Sequence, residues 1–203
     1  MRAILGTTWS LSNAEEKEPR VQEPEPRLIR AAADGDLDAF GLLVAAYQEP
    51  IWRFLCSLVR DAALAEDLTQ ETFLRAYDRL GTFEFRSRFS TWLFAVARNL
   101  GIDALRQRER RNLLPVRIGP DQPPSDPHLR TEVAAAVAAL SDKLREALLL
   151  VEVMGFSCRE TGEILGIPDG TVKSRLYLAR AQLVAWFEAD QTAGRPGERE
   201  AGS

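Results

Sequence analysis

The sequence predicts an all-α protein of two small helical domains joined by a proline-rich linker. Wherever the chain shows a regular pattern, apolar residues recur at intervals of three or four, and no segment alternates with the period of two that is typical of strands. Residues 112–130 contain five prolines, which a helix interior does not accommodate. They separate a first helical part at 27–111 from a second at 131–188, each small for an independent domain but long enough for a helical one.

The two ends of the chain have a different composition from these helical parts. Residues 1–26 combine prolines with many charges and few apolar residues, and residues 189–203 are similarly polar. Such segments cannot bury enough apolar surface to offset the entropy of ordering. We therefore expect a disordered N-terminal extension and a disordered C-terminal tail.

Four helices are predicted in the first domain. Asp36 can cap the first helix, and Pro50 is placed to begin the second. A third helix should occupy about residues 61–80 and end at Gly81. Its inward residues are predicted to be Leu64, Leu68, Phe73, Leu74, Tyr77 and Leu80. Ser90 is the predicted cap of the fourth helix, which should continue to about residue 111.

The second domain begins with apolar residues spaced by three or four from Val133 to Val151. We expect a break near Ser141, which is a good cap residue. The run from Ser157 to Glu160 has the form of a capping box and predicts the start of a short helix. Gly166 should end that helix.

A helix-turn-helix is the predicted structure of residues 157–187, because a short capped helix, a tight turn and a longer helix follow one another. On the longer helix the apolar residues fall on one narrow arc, at Val172, Leu176, Ala179, Leu183 and Trp186. The opposite side carries Gly170, Ser174, Tyr177 and Ala181, flanked by Thr171, Lys173 and Arg180. Small and polar groups near a positive helix end suit the major groove of DNA. The alternative is an amphipathic surface helix with solvated cations.

Three stretches of the sequence resemble one family, the extracytoplasmic-function sigma factors of bacterial RNA polymerase. The stretch "GIPDGTVKSRLYLARAQL" is similar to their last helix-turn-helix, which reads the −35 promoter element. "AEDLTQETFLRAYDRL" resembles the helix that grips core polymerase, and "FSTWLFAVARNLGIDALRQRERR" resembles the helix that reads and melts the −10 element. The order of the three agrees with the family, and the resemblance covers about residues 27–188.

The resemblance implies a −35 DNA contact on the last helix. The candidate residues are Thr171, Lys173, Ser174, Arg175, Tyr177 and Arg180. Arg175 lies nearer the core side, so we expect it to contact phosphate and not a base. Two departures from the family stand out. Thr161 and Gly162 replace the more usual hydrophobic residue and alanine, and Leu178 stands where many members have arginine.

The segment 86–111 is a candidate platform for single-stranded −10 DNA. It holds seven arginines against only two acids, so it can attract the phosphates of an opened strand. The candidate contacts are Arg86, Arg88, Asn99, Asp103, Arg106 and Arg110. Asn99, Asp103 and Arg106 are spaced by four and three and therefore share one helix face. The alternative for the arginines is a solvated surface.

The acid-rich segment 61–78 predicts a partner with a basic surface. Asp67, Gln70 and Glu71 match the positions at which the family contacts core polymerase. The resemblance implies that the partner is the pair of clamp helices in the largest subunit, and that the second domain meets the flap of the second-largest subunit. A helix that is merely acidic on its solvent side is the alternative.

Several function classes find no support in the residues. The chain has one histidine, His128, in the proline-rich stretch, and two cysteines without a disulfide pattern, so we expect no metal, no cofactor and no catalytic site. Cys158 follows a helix cap, where a lowered thiol pKa would allow a redox switch, although a plain half-buried cysteine is the simpler interpretation. We expect a cytoplasmic protein with no membrane contact of its own.

The sequence therefore predicts a promoter-specificity subunit with core RNA polymerase and promoter DNA as partners, and with an anti-sigma factor as a further partner that the family usually has. A free-standing helix-turn-helix regulator would explain only residues 157–187. An enzyme with an accessory DNA-binding domain would need a catalytic cluster that the sequence does not supply.

Overall fold

The computed structural model describes the backbone of residues 21–110 and 127–193, and the side chains of 21–110 and 132–189. The predicted linker up to residue 126, the first twenty residues and the last ten lie outside the described residues. The described chain is helical and contains no strand, as the periodicity predicts. Its helices are α1 (Pro26–Ala33), α2 (Leu37–Val59), α3 (Ala62–Leu80), α4 (Phe89–Arg110), α5 (Pro127–Ala139), α6 (Asp142–Leu148), α7 (Cys158–Leu165) and α8 (Asp169–Ala193).

The first domain begins earlier than the composition predicts. Disorder was expected through residue 26, but Val21 is only 6% exposed and packs in the core. Helix α1, which the sequence analysis does not anticipate, starts with Pro26 in its first turn and buries Ile29 and Ala32. Proline suits that position because its missing N–H would be unsatisfied there anyway.

Helix α2 corrects the expectation that Pro50 begins a new helix. The helix runs unbroken from Leu37 to Val59, with Pro50 inside it and Asp36 as its cap. Tyr47 and Ile51, on either side of the proline, are both buried on the same face. Packing of that face against α3 and α4 outweighs the cost of about 3 kcal/mol that an interior proline carries.

Helix α3 buries Leu68, Phe73 and Leu80 as predicted, but two other residues expected inside face solvent. Leu74 and Tyr77 were expected inside but are 64% and 41% exposed. The buried face instead includes Thr69 and Thr72, whose hydroxyls donate to the carbonyls of Ala65 and Leu68 at 2.7 Å. Because these bonds satisfy the hydroxyls, threonine is accepted inside and the helix turns its leucine outward.

The second domain confirms the break near Ser141, which precedes α6. Helix α6 passes into a π-helical turn at Leu149–Val153 before the chain reaches α7. Two boundaries differ from the expectation: α5 already begins at Pro127, and α8 continues to Ala193 beyond the predicted end at 188. Val133, the first of the regularly spaced apolar residues, is 48% exposed.

The two domains pack against each other through α4 and α7. The rings of Phe94 and Phe156 meet edge to face with centroids 4.9 Å apart. The guanidinium of Arg98 lies 3.4 Å from the carboxylate of Glu146 across the same interface. Arg60, in a left-handed conformation at the end of α2, donates to the carbonyl of Ala138 at 3.1 Å. The described residues thus form one closed arrangement.

None of the helices in the described part of the chain is long and apolar enough to cross a membrane.

Candidate DNA and polymerase interfaces

The helix-turn-helix is built by local capping, as its sequence indicates. Ser157 and Glu160 form a reciprocal capping box, in which each side chain bonds to the other's backbone N–H, at 3.2 and 2.8 Å. Gly166 ends α7 with a φ of +65°, which favours glycine. The N–H of Ile167 then donates to the carbonyl of Gly162 at 3.0 Å and closes the turn. These bonds set the angle at which α8 leaves the domain.

The structure explains why residue 162 is a glycine, which the sequence alone does not. A Cβ at this position would lie 2.7 Å from the carbonyl oxygen of Ile167, in the backbone of the turn. The departure from the family pattern at residue 162 therefore allows the turn to approach α7 closely.

The outward side of α8 carries most of the predicted −35 residues. Thr171, Lys173, Ser174 and Tyr177 are exposed, with Tyr177 at 67%. Lys173, Ser174 and Tyr177 line a groove together with the first turn of α7. The hydroxyl of Ser174 donates to the Gly170 carbonyl at 3.0 Å, and the ammonium of Lys173 lies 3.5 Å from the carboxylate of Asp169. Such an exposed pair is weak and leaves the cation available to a phosphate.

The two arginines of α8 are more enclosed than the sequence suggests. Arg180 lies 2.5 Å from the carboxylate of Glu152, with about a fifth of its side chain exposed. Arg175 is half-buried, and its charge opposes a small part of the rise that burial causes in the pKa of Glu146. A DNA phosphate would therefore compete with carboxylates of the protein for these two arginines. For Arg180 the competing carboxylate is that of Glu152, which lies 28 residues earlier in the sequence.

The predicted −10 face is present along α4. Asn99, Asp103, Arg106 and Arg110 are all exposed, and Arg106 lies 3.5 Å from Asp103 one turn before it. Arg108 is held apart from this face, 3.3 Å from the carboxylate of Asp61 at the start of α3. The helix therefore offers amide, carboxylate and guanidinium groups on one open side.

The loop before α4 contains the other two predicted −10 residues, and their surroundings differ. Arg86 is 85% exposed and pairs with Glu84 on the surface, at 2.6 Å. Arg88 lies between two carboxylates, 3.0 Å from Glu160 of α7 and 3.4 Å from Glu23. Arg88 thus joins the N-terminal extension to both domains.

Glu23 supplies the cap that the sequence analysis assigns to Ser90. Helix α4 begins one residue earlier, at Phe89, and Ser90 lies in its first turn. The Glu23 carboxylate accepts from the N–H of Phe89 at 2.5 Å, from the N–H of Ser90 at 3.3 Å and from the Ser90 hydroxyl at 2.7 Å. Nothing local in the sequence signals this contact, because the partners are 66 and 67 residues apart.

Two carboxyl groups at the domain interface have shifted pKa values. Burial alone would raise the pKa of Glu160, but the hydrogen bonds from Ser157 and the pairing with Arg88 outweigh it and lower the pKa below 4.5. Burial raises the pKa of Glu146, and the charge of Arg98 offsets only part of that rise. Glu160 is therefore a well-stabilised anion at the interface, whereas Glu146 is desolvated there.

The predicted polymerase face on α3 is open to solvent. Asp67 and Gln70 are exposed, and Glu71 is 43% exposed while it pairs with Arg75 at 2.8 Å. Leu74, which the sequence analysis places inside, lies one turn after these residues and extends the face. The face thus joins acidic groups to an exposed apolar side chain, which suits a protein partner better than solvent.

Among the described residues no three histidine, cysteine or acidic side chains lie close enough to hold a metal ion.

Comparisons with known proteins agree over both domains. The family model for Sigma-70 region 2 matches residues 43–111, and that for Sigma-70 region 4 matches residues 130–183. The sigma factor SigC of Mycobacterium tuberculosis is 37% identical over 173 residues, which covers 82% of this chain and 93% of the relative. SigW of Bacillus subtilis is 31% identical, covering 76% and 92%.

The fold agrees as well. The sigma factor RpoE of Bartonella quintana, solved in complex with the anti-sigma factor NepR, aligns with a TM-score of 0.63 at 30% identity. The alignment covers 74% of this chain and 98% of that one. Matches in both halves favour the sigma-factor interpretation over a free-standing regulator. This chain belongs to the extracytoplasmic-function group of the sigma-70 family of RNA polymerase sigma factors.

Proposed function

We propose that the chain docks on core RNA polymerase through α3 and directs it to promoters by reading the −35 element with α8 and the −10 element with α4. The proposal assigns residues 27–111 to docking and to −10 recognition and melting, and residues 131–188 to −35 recognition. Residues 112–130 would connect the two, and 1–26 and 189–203 would flank them. The observation that carries the proposal is the presence of both family regions, each with an exposed polar face on its DNA-facing helix.

At the −35 element, α8 enters the major groove by its N-terminal half. Thr171, Ser174 and Tyr177 are exposed there, so they can approach base edges. Lys173 contacts a phosphate, for which it needs to leave only its weak pair with Asp169. Arg175 and Arg180 act at the rim, where a phosphate exchanges with their internal carboxylate partners.

At the −10 element, α4 captures bases after the duplex opens. Asn99 and Asp103 offer groups that can hydrogen-bond base edges, and Arg106 and Arg110 hold the backbone of the displaced strand. Arg86 and Arg88 precede the helix and approach the first unpaired base. Capture stabilises the open strand by about 1–3 kcal/mol for each stacked base, and it contributes only once the bases are unstacked.

Reading both elements requires the closed arrangement to open. The −10 and −35 elements lie about 25 base pairs apart, which is about 85 Å of duplex at 3.4 Å per base pair. Helix α4 has 22 residues and is only about 33 Å long, and in the closed arrangement it packs directly on α7. The chain from Arg110 to Pro127 can span at most about 60 Å when extended, which provides the missing reach.

The partners follow from this function. Core RNA polymerase contributes the clamp helices for α3 and the flap for the second domain, and it performs the nucleotide chemistry, so this chain acts as a specificity subunit and not as an enzyme. The protein works where the polymerase and the chromosome are, in the bacterial cytoplasm. An anti-sigma factor is a further partner, by analogy with the solved complex of RpoE with NepR.

Binding to core polymerase tests the proposal against a free-standing regulator. The full-length chain, immobilised by a tag, is incubated with purified core polymerase that carries no other sigma subunit. We expect one core enzyme to be retained per chain, and prior saturation of the core with another sigma factor should prevent it. A chain that binds promoter duplex but retains no core would contradict the proposal.

A further inference from the structure

The segment Val21–Glu25, referred to here as the strap, crosses from the core of the first domain to the start of α4. Val21 is buried, the carbonyl of Gln22 accepts a hydrogen bond from the hydroxyl of Tyr47 at 2.6 Å, and the side chain of Glu23 reaches the first turn of α4. Burial, with the charge of Glu23, raises the pKa of Tyr47, so its hydroxyl stays a donor. Three separate contacts therefore hold the strap in place.

Glu23 occupies a position that also suits a phosphate. Its carboxylate accepts from the N–H groups of Phe89 and Ser90 and from the Ser90 hydroxyl, and it lies 3.4 Å from Arg88. N–H groups at a helix start, which have no partner within the helix, together with an arginine favour any anion with oxygen acceptors. The same groups lie beside Arg88, which the proposed function assigns to the −10 strand.

The strap also affects the closure of the two domains through Arg88. That guanidinium contacts Glu23 on one side and Glu160 of α7 on the other, with about a third of its side chain exposed. A DNA phosphate that displaces Glu23 would also draw Arg88 away from Glu160. Displacement of the strap and opening of the domains are therefore linked by one side chain.

We propose that the strap is an autoinhibitory contact, in which the Glu23 carboxylate covers the phosphate-binding end of α4 until single-stranded DNA displaces it. This inference rests on the proposed function, since it assumes that α4 binds the opened −10 strand. It assigns a role to residues 21–25 that neither the family models, which begin at residue 43, nor the sequence analysis includes.

The experiment compares two full-length variants with the same change in net charge. Glu23→Ala removes the carboxylate from α4, whereas Glu25→Ala removes an exposed carboxylate two residues away that pairs with Arg27 on the surface. Binding of a fluorescein-labelled 20-nucleotide oligo(dT) is measured by anisotropy at fixed salt. We expect Glu23→Ala to bind about ten- to a hundredfold more tightly than Glu25→Ala, as loss of a hydrogen bond to a charged group predicts.

A second variant tests the same proposal without depending on the folding of Glu23→Ala. Tyr47→Phe keeps every charge and the buried ring, and it removes only the bond to the Gln22 carbonyl. It should loosen the strap, speed amide exchange at Ser90 and raise oligo(dT) affinity by about two- to fivefold, as the net worth of one hydrogen bond predicts.

Two outcomes would refute the proposal that the strap is an autoinhibitory contact. The first is equal affinity of Glu23→Ala and Glu25→Ala for oligo(dT), which includes the case in which neither variant binds detectably. The other is weaker binding by a folded Glu23→Ala or Tyr47→Phe variant. Transcription with core polymerase is run in parallel. If the wild-type chain transcribes while the DNA affinities are equal, the strap inference fails alone; if no chain transcribes with an active core, the proposed function fails.

Discussion

Substitution of Gly162 by alanine should weaken the helix-turn-helix, although alanine normally favours a helix. The new Cβ would lie 2.7 Å from the Ile167 carbonyl oxygen, where ordinary contacts begin at 3.4 Å. It would also lie 3.5 and 3.7 Å from backbone atoms of Asp169. The turn would therefore have to move away from α7 by about 0.7 Å, taking the start of α8 with it.

The magnitude is a difference between two effects. Overpacking of this kind costs about 1–3 kcal/mol, and replacement of glycine by alanine inside a helix recovers about 0.5–1 kcal/mol. At the middle of these ranges the net loss is about 1.25 kcal/mol, which should lower Tm by about 2.5–5 °C in a chain of this length. Gly41 is the matched control, because it lies inside α2 with nothing within 4 Å of an added Cβ. Gly41→Ala should raise Tm by about 1–4 °C.

Thermal unfolding followed by circular dichroism measures both variants, and anisotropy with a duplex carrying the −35 element measures the effect on DNA. Gly162→Ala should lose stability and bind the duplex less well, while Gly41→Ala should bind as the wild type does. A Tm for Gly162→Ala at or above the wild-type value, with Gly41→Ala also raised, would refute the reasoning. The turn would then be able to yield without cost.

Three further predictions concern docking, DNA and pH. Reversal of Asp67 and Glu71 to lysine should abolish binding to core polymerase in a pull-down, whereas reversal of the exposed acids Asp38 and Glu49 on α2 should not; core affinity within twofold of wild type would remove the docking claim. Lys173→Ala should weaken duplex binding and reduce the salt slope by about one unit, yet transcribe from a pre-melted template. The double variant Asn99→Ala with Arg106→Ala should bind the duplex almost normally but open it poorly, and a pre-melted template should restore much of its transcription. Identical defects of the two variants on duplex and pre-melted templates would mean one continuous DNA surface. The lowered pKa of Glu160 makes a stabilising contribution that is complete above its ordinary value of 4.5 and is lost as pH falls through the lower folded value. The difference in Tm between wild type and Glu160→Gln should therefore be constant from pH 7 to 5 and shrink below pH 4.5, and a difference that grows with acid would contradict that assignment.

Local signals in the sequence predicted local structure well. The capping box at Ser157, the left-handed Gly166 and the cap at Asp36 all depend on residues within four positions of one another, and the structure has each of them. The apolar face of α8 was also predicted correctly, since Val172, Leu176 and Ala179 are buried.

Features that depend on distant residues could not be predicted in this way. Pro50 remains inside α2 because the helix face that is buried before and after it packs against α3 and α4, which outweighs the local preference of proline. Leu74 lies outside because Thr69 and Thr72 satisfy their hydroxyls internally and can be buried in its place. A spacing of three and four does not distinguish these two faces of one helix.

The charge partners of the candidate sites also join distant segments. Arg88 was a candidate −10 contact because it belongs to the arginine-rich segment 86–111, but its contacts with Glu23 and Glu160 arise only when the extension and both domains meet. Arg180 was assigned to DNA from its helix position, and its pairing with Glu152 depends on how α8 lies against the π-helical turn. Sequence patterns indicate which residues are charged, but the fold determines which charges remain free to bind a ligand.

Transcription reconstituted from purified core polymerase, with and without this chain, tests the central claim most directly. The template carries a promoter of the organism that encodes the chain, selected by the binding of the complete enzyme. We expect multiple-round transcripts from a defined start only when the chain is present, with strand opening near −10 detected by permanganate. An absence of specific transcripts, from a core that initiates normally with another sigma factor, would contradict the account.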